Sequence, residues 1–319
     1  MNSKFLRRTS IVLIAPMMMF AAACGSDDKD SKVEKAKDAV DGGKVVLVGQ
    51  GFPEADIMTE LYAGLLTNAG FEVSTKALAT RDLYLPELEK GSVQISTDYL
   101  SSFTEALNRQ ANGDDAAVVA SNDAEATLSE LNKLGSKVGV TALEPAEAQD
   151  ANAFAVTKKF ADEKGLKTLS DLAALGLDLK LGAAPDCDKR PDCKVGLESK
   201  YGLKIKTVVP TGFGSDETKS DLKDGDTQLG QVGTSDATVA NDGLVILEDD
   251  KGLQNAENLV PIANTKWLDD HPQAADALNP LAQVLTTEDL AGLIAKVSIG
   301  REKAADVALE YLKDKDLLK

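Results

Sequence analysis

A nine-residue phrase occurs twice in this chain, LEKGSVQIS from Leu88 to Ser96 and LKDGDTQLG from Leu222 to Gly230. In each copy a helical stretch ends on glycine, which adopts the left-handed backbone of a helix terminus without steric cost, and a short buried strand follows at once. Polar residues come next in both: Thr97, Asp98, Tyr99, Ser101 and Ser102 after the first copy, Thr234, Ser235 and Asp236 after the second. Helix, glycine and strand are parts of an alternating α/β layer, and in open α/β sheets ligands bind outside the carboxyl ends of the strands. Two such edges facing one another would make a clamp. The competing explanation is that the unit recurs by chance in any α/β chain.

The surrounding sequence supports two such layers. KVVLVGQGF reads as a strand, and the next segment carries apolar residues at Ile57, Leu61, Leu65 and Leu66, a helical stripe ended by Gly70. FEVSTKAL returns as a strand. A second alternation starts near Asn152 with NAFAVTKKF, continues through LKLGAAP, IKTVVP and TQLGQVG, and reaches LVILEDD. From Trp267 to Leu318 the pattern is helical, which suggests that the chain returns to complete its first lobe. At 319 residues there is enough chain for two lobes, each with its own core. The expectation is an α/β protein with mostly parallel sheets: a first lobe over 44–148, a second over 149–242, and a return to the first over 243–319.

The N-terminus is different material. Lys4, Arg7 and Arg8 precede an apolar run from Ile11 to Phe20 that is short for a bilayer span, and three alanines lead into Cys24. This reads as a signal peptide over 1–23, with Cys24 in the place of a bacterial lipobox cysteine. The protein would then be lipid-anchored to the cell membrane on its extracytoplasmic face. An ordinary cleaved signal with an incidental cysteine is the alternative, since Ala21 stands where leucine is most common. Residues 24–43 are polar and read as a flexible tether. Cys187 and Cys193 lie close together in PDCDKRPDCK. In an exported protein that spacing suits a disulfide, with free thiols or a metal site as alternatives; no histidine lies nearby and only two sulfurs are available.

Composition removes several function classes. A formal charge of −17 does not supply the clustered lysine and arginine that nucleic acid requires. His271 is the only histidine, so general-base chemistry and a histidine metal cluster have little to work with. No GxxxxGK loop is present to bind nucleotide phosphates. The expectation is a protein that is not an enzyme and carries no cofactor and no metal.

GQGFPE with ELYAGLL, RDLYLPELEKG with TDYLSS, GAAPDCDKRPDC, KYGLKI, the Thr-Ser-Asp at 234–236, LEDDKG and PIANTKWLDDHP occur in an order that resembles the solute-binding lipoproteins of osmoprotectant ABC importers. These take glycine betaine, choline, proline betaine and related solutes, and the cysteine loop is similar to the form common in actinobacteria. The resemblance covers nearly all of the chain after Cys24. It implies a type II periplasmic-binding-protein fold, a small-molecule solute held between two lobes, and ABC permease transmembrane subunits as partners. It implies further that Tyr99 belongs to an aromatic cage for a quaternary ammonium, that Ser102 and Arg190 meet the solute carboxylate, and that Gln50 is a polar contact. The chain departs from that cage at Asn152, Lys219 and Gly233. With aromatic residues at only 4%, the available substitutes are Phe52, Tyr84, Phe154 and Phe213. Candidate ligand residues are therefore Gln50, Phe52, Tyr99, Ser102, Asn152, Arg190, Lys219, Thr234, Ser235 and Asp236. The alternative function is a non-transporting extracytoplasmic sensor or scaffold on the same fold.

Overall fold

The structure is a computed structural model that describes residues 33–39 and 41–319. The signal segment and Cys24 lie outside the described residues. Among the described residues there are ten strands: β1 (Lys44–Gln50), β2 (Glu72–Leu78), β3 (Ile95–Tyr99), β4 (Val140–Ala142), β5 (Asn152–Thr157), β6 (Asp178–Gly182), β7 (Lys204–Val209), β8 (Leu229–Gly233), β9 (Leu244–Leu247) and β10 (Leu259–Asn264). They form two sheets of the same plan, ordered β2-β1-β3-β10-β4 and β7-β6-β8-β5-β9. The sheets are mixed rather than mostly parallel. In each, three parallel strands meet a fourth that runs antiparallel, β10 against β3 and β5 against β8. Each of those two strands begins where the chain leaves a crossing between lobes, and a local helix–strand alternation gives no sign of their direction.

The alternating side chains of β1 show how the first core is built. Val45 and Leu47 face one apolar cluster, together with Ile57, Leu61, Leu66 and Phe71, while Val48 faces a second with Tyr84, Leu88 and Phe103. A strand buried on both faces is the usual consequence of helices covering both sides of a sheet. The first cluster also takes Leu290, Val307, Ala308 and Leu312 from the helices Thr287–Ser298 and Ala304–Asp314, so the helical tail packs into the core beside the first sheet. The second lobe has its own clusters, one of which contains the bonded pair Cys187–Cys193.

Both copies of the repeated phrase perform the same structural task. Helix α2 (Arg81–Lys90), the second of the chain after α1 (Pro53–Asn68), ends on Gly91 at φ 77°, and the helix Asp216–Asp224 ends on Gly225 at φ 82°, both left-handed. The recurring glutamine does the rest. Gln94 Nε2 donates to the Gly91 carbonyl at 2.6 Å, and its Oε1 accepts from the Val46 amide at 2.7 Å. Gln228 Nε2 donates to the Gly225 carbonyl at 3.2 Å, and its Oε1 accepts from the Lys180 amide at 3.1 Å. In each lobe one amide side chain thus ties a helix terminus to the neighbouring strand.

Two segments cross antiparallel between the lobes, with backbone hydrogen bonds from Leu259 to Ala148 and from Asp150 to Glu257 and a bridge between Gln149 and Asn258. Strand β9 pairs with β5, so the second sheet extends past residue 242, where the sequence reading had returned the chain to the first lobe. The return comes at Glu257–Leu259 instead. The expected tether also ends earlier than residue 43: Asn68 Nδ2 donates to the Glu34 carbonyl at 3.1 Å, and the Ala36 amide donates to the Asn68 carbonyl at 2.9 Å. The same Asn68 accepts from the Lys319 amide at 2.8 Å and so holds both ends of the described chain.

Candidate functional site

The carboxyl ends of β1, β3 and β8 converge on the crossing segments. After β1 the chain turns at Phe52, the N-cap of α1, and Pro53 starts the helix with a φ already suited to it. Glu54 falls in the first turn, where a carboxylate complements the positive end of the helix. Its side chain is nevertheless 5% exposed, turned inward to the end of β3. There the Tyr99 hydroxyl donates to Glu54 Oε1 at 2.6 Å.

The crossing segment supplies Asp150, and the Thr-Ser-Asp segment after β8 is bound to it. Ala151 donates its amide to Thr234 Oγ1 at 3.0 Å, Thr234 Oγ1 donates to the Gln149 carbonyl at 2.8 Å, and Ser235 Oγ donates to Asp150 Oδ1 at 2.6 Å. Burial, reinforced by the charge of Asp150, pushes the Glu54 carboxyl up to about 7, against the pull of hydrogen bonds from Tyr99 and Ser235. Asp150 is also raised, by burial first and then by Asp236. Tyr99 is raised by burial and by the charge of Glu54 beside it. The partners of Glu54 and Asp150 are hydroxyls and other carboxylates, not cations.

A third acid, half-buried, closes the other side. Glu257, on the returning segment, accepts from the Ser102 amide at 3.1 Å and the Ser102 hydroxyl at 2.9 Å, in the first turn of helix α3 (Leu100–Asn112). Burial lifts its carboxyl to about 7, while these bonds and the charge of Arg81 draw it down. Arg81 itself pairs with Asp98, which also accepts from Tyr84. Gln50, Tyr99, Thr97 and Asp98 line a hollow of about 10 Å³ beneath Tyr99, room for a single water and not for a solute.

Sequence reasoning placed Tyr99, Thr234 and Ser235 in this cluster. The other candidates sit as follows. Ser102 is held by Glu257. Asn152 donates to Asp192 at 2.7 Å, and Arg190 is bonded to the same Asp192 with Asp186 alongside at 3.9 Å, so the arginine is held within its own loop. Lys219 is neither a surface lysine nor an uncompensated charge: it is 5% exposed, 2.7 Å from Asp236 and 2.6 Å from Thr238. Asp236 is thereby committed inside the second lobe. Of the four substitute aromatics, Tyr84 and Phe154 are core residues, because their apolar bulk serves the sheets they flank. Phe52 and Phe213 remain 36% and 50% exposed. A Cβ on Gly233 would lie 3.5 Å from the Phe213 ring and 3.2 Å from Asp150, so Phe213 fills the space beside Gly233 from a neighbouring loop. Among the described residues, no three His, Cys, Asp or Glu side chains are grouped to hold a metal ion.

The acids of this cluster that sequence reasoning missed are Glu54, Asp150 and Glu257. Glu54 stood in the quoted GQGFPE, but an acid in a first helical turn ordinarily faces solvent, and nothing local announces burial.

Residues 43–314 match OpuAC, the substrate binding domain of ABC-type glycine betaine transport system. The chain is similar to a glycine-betaine-binding protein of Pseudomonas aeruginosa, 24% identical over 279 residues, with 85% of this chain and 87% of that protein covered. It is also similar to the glycine betaine-binding protein YehZ of Escherichia coli, 29% identical over 181 residues, covering 54% of this chain and 59% of the relative. The solved structure of apo YehZ shares the fold at a TM-score of 0.75 and 23% identity, over 86% of this chain and 99% of the other. The fold is that of the type II periplasmic-binding proteins, and the chain belongs to the family of substrate-binding domains of ABC-type glycine betaine transport systems.

Proposed function

We propose that the protein captures a small compatible solute in the cleft between its lobes by hinge closure and presents it to the transmembrane subunits of an ABC permease, from the extracytoplasmic face of the membrane to which a lipid on Cys24 anchors it. One observation carries this reading: Glu54 and Tyr99 from the first lobe meet Asp150 of the crossing segment and Ser235 of the second lobe around one point. A solute touching both sets stabilises the closed form over the open one, because only closure satisfies both. The glycine betaine relatives support an osmoprotectant as the solute class. Family membership favours solute capture over a sensor or scaffold role. Calorimetric titration of the protein with glycine betaine, choline, carnitine, proline betaine and ectoine tests the proposal. Saturable binding of at least one, weakened in Tyr99→Ala without loss of folding, is the expected result; no binding across the panel would overturn it.

A further inference from the structure

The charge inventory of the cleft is unequal. Each cation near it is already engaged: Arg81 with Asp98, Lys219 with Asp236, and Arg190 with Asp192. Two carboxyls on its axis, Glu54 and Asp150, face one another across the Ser235 hydroxyl and have no cation of their own. Tyr99 directs its hydroxyl at Glu54. The half-exposed ring of Phe213 lies beside Gly233, next to Asp150. Two like charges in a desolvated space repel strongly, so closing the lobes around two bare carboxylates is unfavourable unless a positive charge enters with them.

We propose that Glu54 and Asp150 form a seat for one positive charge, filled by a proton in the closed empty protein and by the organic ammonium head of the solute in the complex, so that binding exchanges one cation for the other. The proposal rests on the solute-capture reading and specifies what is captured: an ammonium ion bearing no carboxylate is preferred over a zwitterion, since among the described residues no uncommitted cation faces the seat to meet an anionic group. The solute's ammonium, which has no proton to give when quaternary, takes the place of the carboxyl proton, and that proton leaves to solvent. The exposed ring of Phe213 adds a face that attracts such an ion. The other charged groups packed around the seat leave its sign unchanged. Asp98 is balanced by Arg81 and Asp236 by Lys219, Glu257 is raised like Glu54, and Asp56 and Glu60 lie on the same helix as Glu54.

The test measures protons as well as affinity. Choline chloride and glycine betaine are titrated into the full chain at pH 6 and pH 8 in buffers of different ionisation heat, and the unliganded protein is followed by small-angle scattering over the same range. The seat's carboxyl is held at about 7. Choline binding should therefore release roughly nine-tenths of a proton at pH 6 and about one-tenth at pH 8, with affinity about tenfold higher at pH 8. Glu54→Gln, with Asp150→Asn as the second variant, should abolish that dependence and weaken choline more than glycine betaine. The unliganded wild-type protein should become less compact between pH 6 and pH 8, and Glu54→Gln should not. Binding of either solute with no proton release and no pH dependence overturns the exchange and leaves solute capture standing. If neither solute binds while compaction still follows pH through Glu54, the exchange is overturned, and solute capture is then decided by the other members of the panel, carnitine, proline betaine and ectoine.

Discussion

The Tyr99 hydroxyl donates to Glu54 Oε1 at 2.6 Å, joining the end of the third strand to the first turn of the first helix across the floor of the cleft. Tyr99→Phe keeps the ring and removes the donor, leaving a buried carboxyl oxygen without this partner. A loss of about 1–3 kcal/mol is expected in urea unfolding. Tyr99→Phe/Glu54→Gln should recover part of it, because a neutral amide is less costly to bury than a carboxylate.

Stability should depend on pH in a defined window. Burial raises both Glu54 and Glu257 to about 7 from the ordinary 4.5 of a glutamate. Between those values the folded protein keeps protons that the unfolded chain has released, so these groups favour folding less as pH rises from 4.5 to 7, and level off above 7. Calorimetric melting should show Tm lower at pH 8 than at pH 5 by roughly 5 °C. In Glu54→Gln/Glu257→Gln the fall should be much smaller.

Lys219 and Asp236 are 2.7 Å apart with little exposure of either. Replacing one partner strands the other charge in the second lobe. Lys219→Met is expected to cost about 3–5 kcal/mol in chemical denaturation, and Lys219→Met/Asp236→Asn considerably less, since a buried pair removed whole leaves no bare ion.

Gln94 makes two side-chain hydrogen bonds that span a helix terminus and a strand edge, and Gln228 makes the equivalent pair. Gln94→Ala, which leaves the Val46 amide and the Gly91 carbonyl unpaired by a side chain, should destabilise by about 1–3 kcal/mol. Gln228→Ala should cost less, because Lys180 is exposed and water can replace the bond. Urea titration of the two variants side by side checks the order.

What could be read from the sequence follows the range of the interactions that decide it. The repeated phrase was legible because its glycines and glutamines act within a few residues of themselves, and the same local logic placed Tyr99, Thr234 and Ser235 at strand ends. Strand β10 and the antiparallel direction of β5 depend on pairing with strands far off along the chain, and no local pattern encodes that. The assignment of Phe154 and Tyr84 to a ligand cage failed for the same reason: an aromatic ring looks alike in sequence whether it lines a cleft or fills a core. Lys219 was read as a surface or cage residue because its compensating partner, Asp236, comes from another element.

Asn68 binds residue 34 and residue 319 together on the first lobe, and the second lobe holds neither end of the described chain. A swing of the second lobe therefore drags no terminus with it. In the proposed closure the first lobe is therefore the half coupled to both described ends, and the second is left to take its position from the solute.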